Sequence, residues 1–159
     1  MERNPVTPPG YDALVKDLQY HKSVLRPSIV RDIEEARAHG DISENSEFED
    51  AKERQAHCEG RIRLLEHLIA TAQIIDPAKM ADDGRVRFGA TVLISRADKD
   101  DERELMIVGE TEANIEAGRI SYKAPVARAL IGREEGDECV VPAPGGATTW
   151  EIVEVRYGG

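Results

Sequence analysis

Acidic side chains crowd one short stretch in the first half of the chain. Residues 41–50 include five acids and no base, and the acids are Asp41, Glu44, Glu47, Glu49 and Asp50. Mg²⁺ is bound by oxygen ligands and commonly takes only one or two protein carboxylates, while water or phosphate oxygens complete its shell. Asp41 and Glu44, three residues apart, are therefore candidate metal ligands. Two such ligands are too few to bind the ion tightly, so the pattern predicts half of a site that another macromolecule completes.

Helix capping is a second interpretation of the same acids. The segment from Asp41 to Glu44 has the spacing of a capping box, and the helix dipole favours acids in the first turn of a helix. Capping would account for two or three of the five acids. It does not account for the rest, because carboxylates crowded at one point repel one another.

Two apolar seams flank the acidic stretch and predict the elements that position it. Their members are spaced by three or four residues, as in a coiled coil. The upstream seam is Leu14, Leu18, His21, Leu25, Ile29, Ile33 and Ala36, and the downstream seam is Phe48, Ala51, Gln55, Cys58, Ile62, Leu65, Ile69 and Ala72. Paired antiparallel, the seams have a register centred near residue 42, and Gly40 is a typical C-cap residue. The sequence therefore predicts a helical hairpin that reverses at about residues 39–43, with an acidic tip at residues 40–50.

Pro27 interrupts the upstream seam at a point where its spacing also stutters. A proline ring removes one backbone hydrogen bond and clashes with the preceding turn, so the helix should kink or locally unwind there. A helix of roughly 28 residues would reach about 40 Å. The hairpin is therefore expected to be a thin prong with a tip.

The second half of the chain predicts a different kind of unit. Near Asp76 the sequence changes to β-branched runs punctuated by Gly and Pro. Strands are predicted at residues 85–88, 90–95, 104–108, 140–141 and 150–155, and a short helix at 124–131. The predicted fold class is α+β with two domains. These are an antiparallel coiled-coil hairpin over residues 1–76, a linker at 77–82, and a small antiparallel-sheet domain with a short helix over 83–159.

Composition limits the functional classes. The 159-residue chain has 21 Lys and Arg against 31 Asp and Glu, a formal net charge of −10 and a pI near 4.9. Unaided binding of duplex nucleic acid is not expected, because such binding relies on Lys and Arg that neutralise phosphates. No run approaches the roughly 18 to 20 apolar residues of a membrane span, so we expect a cytoplasmic protein without membrane contact. Cys58 and Cys139 lack metal-type spacing and are expected to be reduced, partly buried thiols.

Several motifs in both halves point to a known family. They are Gly40-Asp41-Ile42-Ser43-Glu44-Asn45, Cys58-Glu59-Gly60-Arg61-Ile62, Ala72-Gln73-Ile74-Ile75-Asp76, the run SYKAPVARALIG at residues 121–132, and Ala143-Pro144-Gly145-Gly146. Together, and in this order, they closely resemble the bacterial Gre transcript-cleavage factors, the GreA-like members more than the GreB-like ones. The resemblance extends from Thr7 to Val155.

The resemblance implies a function inside another enzyme. By resemblance, the hairpin enters the secondary channel of RNA polymerase, and Asp41 and Glu44 help to bind the second catalytic Mg²⁺ and its attacking water. In such chemistry one ion steadies the leaving oxygen and the second activates a water for in-line attack. The polymerase's own active site would then cut the backtracked RNA 3′ end. The chain itself is therefore not expected to be an enzyme, nor to hold Mg²⁺ tightly alone.

Lys52 and Arg54 lie where the family carries basic residues near the tip. The resemblance implies that they contact the extruded RNA 3′ segment. An equally open interpretation is that they are solvated helix charges that pair with Glu49 or Asp50.

Ser121, Tyr122 and Pro125 match the stretch that faces the polymerase in the family. The resemblance implies that they belong to an FKBP-like domain that docks near the channel entrance. The alternative is ordinary turn and helix-start chemistry, with Pro125 in a first helical turn.

The chain departs from the family pattern just after the tip. Phe48 stands where a Tyr is common, and Glu49 and Asp50 add negative charge close to Asp41 and Glu44. Two other functions therefore stay open: a Gre-like homologue that inhibits the polymerase through the same channel, and a coiled-coil scaffold or chaperone without a metal role. We expect a monomer when the protein is free, since a hairpin can satisfy its own seam.

Overall fold

The computed structural model describes residues 3–39 and 46–158. By internal contacts the chain divides into two compact units. Residues 11–72 form a helical unit, and residues 3–10 together with residues 73–158 form a sheet unit. The predicted two-domain α+β class is confirmed.

The helical unit is built from three long helical segments. Helix α1 spans Pro8–Tyr20, α2 spans Arg26–Ala38 and α3 spans Ser46–Ala70. A π-helical turn, His21–Leu25, joins α1 to α2 without a break. Residue numbers rise along α2 as they fall along α3 at the points of contact, so the two helices are antiparallel, as the register of the seams predicts.

The seam residues form the core of the hairpin. Ile29 and Ile33 of α2 pack with Ala51, Cys58 and Ile62 of α3, and each of them is buried. The half-buried side chains Leu18, Leu25 and Phe48 pack against this cluster. The 3-and-4 spacing places these apolar side chains on one face of each helix, because residues three and four apart are neighbours on a helix surface.

The π-helical turn lies directly before Pro27. The Arg26 N–H donates to the carbonyl of His21, five residues back, in place of the usual four. Cys58 brings its thiol to 3.8 Å from the same carbonyl oxygen. The local unwinding expected beside Pro27 therefore takes the form of a π turn, which inserts one extra residue into the helix and absorbs the stutter of the seam.

A bidentate ion pair joins α2 to α3 just after this turn. Arg26 donates through Nε and Nη2 to the two carboxylate oxygens of Glu59, at 2.8 and 2.7 Å. This hydrogen bonding lowers the pKa of Glu59 and raises that of Arg26 from their ordinary values. The planar fork of Arg matches a carboxylate, so the pair fixes the orientation of the two helices as well as their spacing.

The described residues of the sheet unit form seven strands, one short α-helix and three 3₁₀ helices. The strands are β1 Asn4–Val6, β2 Ala72–Ile74, β3 Thr91–Arg96, β4 Glu102–Val108, β5 Arg119–Ser121, β6 Glu138–Val141 and β7 Thr148–Arg156, and the helix is α4 Pro125–Leu130. Strands β1 and β2 pair with each other, and the other five form a sheet in the order β5-β4-β3-β7-β6. Its neighbours are antiparallel except β4 and β5, which are parallel.

The five-stranded sheet buries one face against α4. The fully or nearly fully buried side chains of the core around this sheet include Val86, Val92, Ile94, Ile107, Leu130, Cys139, Trp150, Ile152 and Val155. Val92 and Ile94 alternate with less buried residues along β3, as expected when one face of a strand meets the core. Proline at position 125 starts α4, where its missing N–H costs nothing.

The strand predicted at residues 85–88 is wrong. Val86 exchanges backbone hydrogen bonds with Gly132 and Arg133 at 2.9 and 2.7 Å, so the segment is fixed by a loop and not by a neighbouring strand. Arg85 forms one isolated bridge. A turn with a positive φ of 90° at Gly89 then separates the segment from β3. Val86 is buried all the same, which explains why its pattern resembled a strand.

Within the sheet unit, Glu112 binds the N-terminal segment that precedes α1. The Glu112 carboxylate accepts from the Thr7 N–H at 3.1 Å, from the Thr7 hydroxyl, and from the Gly109 N–H at 2.9 Å. Thr7 is buried. A Cβ at Gly10 would meet the Glu112 carboxylate, which would have to move away from its bonds to Thr7 and Gly109.

Candidate functional site

The predicted metal ligands Asp41 and Glu44 lie outside the described residues, and their roles stay predictions. Helix α2 ends at Ala38 and α3 begins at Ser46, so the predicted reversal falls between two helices that are described. Within residues 3–39 and 46–158, no group of three or more His, Cys, Asp or Glu is placed to hold a metal ion.

Phe48 packs at the base of the tip. Its ring is half-buried against the hairpin core, and the guanidinium carbon of Arg37 lies 5.8 Å from the ring centre. Arg37 is in the last turn of α2 and Phe48 in the first turn of α3, so this cation–π contact joins the two helix ends. Nearby, His39 Nδ1 lies 3.5 Å from a carboxylate oxygen of Glu47.

Arg54 bonds to acids on both helices. Its Nη1 donates to Asp32 of α2 at 3.0 Å, and its Nε donates to Asp50 of α3 at 3.2 Å. The hydrogen bond to Asp32 is the main cause that raises the pKa of Arg54 above its ordinary value. The structure thus brings Arg54 together with Asp50, one of the pairings that the helix-charge interpretation offered. The predicted contact of Arg54 with RNA is not tested by this geometry.

Lys52 differs from Arg54 in its surroundings. It is exposed, and its Nζ donates at 3.0 Å to the neutral amide oxygen of Gln55. Gln55 is the polar member of the downstream seam and is half-buried. Because Gln55 is neutral, this hydrogen bond does not neutralise the positive charge of Lys52.

A large apolar groove lies on the sheet unit. Its volume is about 580 Å³. It is lined by Ile94, Arg96, Arg103, Leu105, Ala113, Ile115, Ile120, Ser121, Ala124, Pro125, Val126, Val141, Pro142, Ala143, Thr148 and Trp150. Ser121 and Pro125, two of the predicted docking residues, are part of this wall.

Tyr122, the third predicted docking residue, is directed to a different neighbour. Its ring packs edge-on against Phe88 with 5.9 Å between centroids, and Lys123 Nζ lies 5.8 Å from the ring centre. The Tyr122 N–H donates to Val108 at 2.9 Å. The structure therefore separates Tyr122 from the groove wall formed by Ser121 and Pro125.

The groove is suited to an apolar segment, because its two cationic wall residues are already paired with acids: Arg96 with Asp98, and Arg103 with Asp101 at 3.5 Å. Trp150 contributes an aromatic surface to the wall, and the Arg103 guanidinium lies 5.5 Å from its ring centre. Arg96, at the same groove, is bonded to Asp98 at 2.7 Å. Ile115 is 83% exposed at the rim, an unusual position for a large aliphatic side chain. Such a surface can bind a partner by burying apolar area.

The sequence analysis did not identify this groove. Its apolar walls come from several strands and from loops far apart in the chain, including Ile94, Leu105, Ile120 and Trp150. One local signal was available: Ile115 is the one large aliphatic residue of residues 109–118, which include three glutamates. Separately, the described helices include none that is long and apolar enough to cross a membrane.

Comparisons with known proteins agree with the motifs in both halves of the chain. Residues 4–74 match a family described as the N-terminal domain of transcription elongation factors, and residues 81–157 match the GreA/GreB C-terminal domain. The transcription elongation factors GreA of Hyphomonas neptunium and of Jannaschia sp. strain CCS1 are 52% and 51% identical to this chain over 157 residues, which is 99% of each protein.

Solved structures give weaker likenesses. GreA factor homolog 1 of Thermus thermophilus aligns with 98% of this chain and 99% of its own at 24% identity and a TM-score of 0.45. A prokaryotic transcription elongation factor GreA/GreB from Nitrosomonas europaea aligns with 99% of this chain and 100% of its own at 23% identity and a TM-score of 0.44. These two likenesses are too distant to add to the sequence matches.

Proposed function

The chain belongs to the GreA/GreB family of transcription elongation factors, and from this membership we propose that its hairpin enters the secondary channel of RNA polymerase and stimulates cleavage of backtracked RNA. The observation that supports this most is the match of both halves of the chain, in order, to both halves of the family. The factor is a transcription factor that acts on RNA polymerase. Cleavage would be a reaction of the polymerase's own active site, with the 3′ end of the backtracked RNA as substrate.

Asp41 and Glu44 are the proposed contribution of this chain to the reacting centre. Their carboxylates are hard oxygen donors, and two of them suit a Mg²⁺ ion that takes its other ligands from the polymerase and from water. When bound, the ion would lower the pKa of a water and so supply the attacking nucleophile. Asp41 is proposed to contact the metal, and Glu44 to make a second contact or to orient the water.

Lys52 is proposed to contact the RNA near the tip. It is exposed, and its bond to the neutral Gln55 leaves its charge available to a phosphate. A phosphate contact of this kind positions RNA without reading its sequence, which is what a factor acting at many arrest sites requires.

The groove of the sheet unit is the proposed docking surface for the polymerase. Ser121 and Pro125 belong to its wall, and the exposed Ile115 lies at its rim. Tyr122 is proposed to contribute through its packing on Phe88, which fixes the loop before α4. We further propose that the free factor is a monomer, because Ile29, Ile33 and Ile62 are already buried within one chain.

Inhibition of the polymerase through the same channel is the second candidate function. Glu49 and Asp50 are exposed and add negative charge after the tip, which would disfavour RNA phosphates. A channel inhibitor would slow elongation and yield no RNA fragments.

The test is to add the purified protein to a stalled, backtracked elongation complex carrying 3′-labelled RNA and Mg²⁺. Short labelled 3′ fragments are expected with the wild-type chain and not with the double variant Asp41→Asn, Glu44→Gln. The double variant should still compete with the wild type for polymerase, since docking depends on the sheet unit. A matched control is Glu34→Gln, Glu53→Gln, which removes two exposed hairpin acids away from the tip.

Each other outcome has a definite meaning. Fragments that appear equally with the double variant would contradict the metal-ligand role of Asp41 and Glu44. Slower elongation without fragments would establish the inhibitor. An effect on neither process would favour a coiled-coil scaffold. Cleavage of RNA without polymerase would show that the chain is a nuclease itself.

A further inference from the structure

The two helices of the hairpin enclose an acidic groove near the tip. It has a volume of about 190 Å³ and is lined by Asp32, Glu35, Ala36, Glu47, Asp50 and Arg54. Four of these side chains are carboxylates, and Arg54 is the one cation among the described residues of this lining. Its guanidinium is bonded at both Nη1 and Nε, so two of the four negative charges face a positive charge at hydrogen-bond distance.

The two acids that Arg54 binds come from different helices. Asp32 lies 22 residues before it, on α2, and Asp50 lies one helical turn before it, on α3. A single planar guanidinium can satisfy both because its N–H donors are held in a rigid fork and point in different directions. The arrangement therefore ties α2 to α3 and cancels charge at the same place.

We propose that Arg54 is a positioning residue of the cleavage-stimulating tip, which acts by neutralising Asp50, while its bond to Asp32 holds the guanidinium in place. This inference rests on the proposed function. An unpaired Asp50 would add its charge to the acids that RNA must approach. Because Arg54 is bonded to Asp50, that carboxylate repels an RNA phosphate less than an unpaired Asp50 would.

The proposal gives Arg54 a different role from Lys52. A residue that binds RNA directly is needed whatever the charge at position 50. A residue that neutralises Asp50 is needed only while Asp50 is charged. Removal of the acid should therefore restore activity to a variant that lacks Arg54, and this restoration separates the two roles.

The experiment measures cleavage of a backtracked complex over a range of factor concentrations. We expect Arg54→Gln to lower the maximal rate at saturating factor by up to about fivefold, the scale of exposed ion pairs, with little change in the half-saturating concentration. The double variant Arg54→Gln, Asp50→Asn should regain most of that rate. Arg31→Gln is the matched control, because it removes an exposed cation adjacent to Asp32 and should leave both parameters unchanged.

Other results would overturn the inference. An Arg54→Gln variant as active as the wild type would overturn it, as would a double variant no better than the single one, which is the result expected of a direct RNA contact. A rise in the half-saturating concentration alone, together with a lower unfolding midpoint of the helical unit, would mean a structural role only. A wild-type protein that releases no fragments would overturn the proposed function and this inference with it.

Discussion

The guanidinium carbon of Arg37 lies 5.8 Å from the ring centre of Phe48, so the last turn of α2 and the first turn of α3 are joined by a cation and an aromatic face. This contact gives a reason for the aromatic residue that does not depend on a phenol hydroxyl. Phe48 also packs on the hairpin core. The ring therefore serves both the apolar seam and the helix ends.

The contact between Arg37 and Phe48 should contribute to the stability of the hairpin, so the effects of removing the two side chains should not be additive. A double-mutant cycle with Phe48→Leu and Arg37→Gln is expected to give a coupling of about 0.5–1 kcal/mol, the usual range for an exposed cation–π pair. Phe48→Tyr, which keeps the ring, should be close to the wild type. The measurement is chemical denaturation of the helical unit followed by far-UV circular dichroism. Additive effects of the two changes would show that the contact contributes nothing.

Glu112 should be one of the costliest acids to replace in the sheet unit. Its carboxylate accepts two N–H groups and one hydroxyl, and Thr7 is buried. Hydrogen bonds to a charged acceptor contribute about 1.5–3 kcal/mol, so Glu112→Gln is expected to destabilise the unit by roughly 1–3 kcal/mol. Unfolding followed by Trp150 fluorescence measures this loss.

Amide hydrogen exchange can show whether the loss of stability comes from the hydrogen bonds of Glu112. Amide hydrogen exchange at Thr7 and Gly109 should become faster in Glu112→Gln, because both N–H groups lose a charged acceptor. The control Glu116→Gln changes an exposed acid nearby and should leave both the stability and these amides as they are. Equal exchange rates in all three proteins would contradict the role of Glu112.

Asp83 should make the sheet unit sensitive to acid in a narrow range of pH. The hydrogen bond from Arg87 lowers the pKa of Asp83 to about 2, against an ordinary value of 3.8. Because the folded-state pKa is depressed, the pair contributes stability above about pH 4, and that contribution is lost as the pH falls toward 2. The side chains are partly exposed, so added salt should reduce the effect.

The comparison of variants isolates this contribution. Asp83→Asn should unfold with a flatter dependence on pH between 4 and 2 than the wild type, as measured by Trp150 fluorescence. Asp82→Asn, at the adjacent exposed position, should keep the wild-type slope. Parallel curves for the wild type and Asp83→Asn would show that the pair does not contribute.

The rim of the groove should control affinity for polymerase without affecting the fold. Ile115 is 83% exposed, so Ile115→Asp removes no core packing, yet it would place a charge where an apolar partner segment is proposed to bind. We expect affinity to fall about tenfold or more, equivalent to about 1.4 kcal/mol. Val140→Asp is the matched control, since Val140 is 59% exposed but is not part of the groove wall.

Binding of labelled factor to polymerase measures both variants. Equal losses for Ile115→Asp and Val140→Asp would point to a general effect of negative charge. No loss for either would place the docking surface elsewhere on the chain.

The sequence predicted the hairpin well because its signal is local and repeated. Spacings of three and four residues report which side of a helix is apolar, and the burial of Ile29, Ile33, Ala51 and Ile62 confirms that pattern. The effect of Pro27 was also predictable, since a proline in a helix leaves few arrangements of the backbone. The exact form, a π turn whose His21 carbonyl lies 3.8 Å from the Cys58 thiol, was not predictable.

Features that depend on distant parts of the chain were not predictable in the same way. Val86 has the composition of a strand residue, but its partners are the loop residues Gly132 and Arg133, so it lies in no strand. The groove is formed by side chains that meet only in the folded sheet unit. The two bonds of Arg54 also required coordinates, because periodicity shows a charge on a helix but not its partner on the next one.

Cys58 and Cys139 also have some features that the sequence predicts and others that only the structure shows. Their spacing indicated no metal site, and the structure shows both thiols buried, with burial as the main cause that raises the pKa of each. The burial of these cysteines was expected from the sequence. The proximity of Cys58 to the carbonyl of His21 was not.

The bond between Thr7 and Glu112 joins two parts of the chain that are synthesised at different times. The two residues are 105 positions apart, and at about 5–20 residues per second of synthesis Glu112 is added roughly 5–20 s after Thr7. The helical unit, residues 11–72, is complete in sequence well before that moment. During synthesis the N-terminal segment therefore emerges long before its partner Glu112, and the whole helical unit is synthesised between the two.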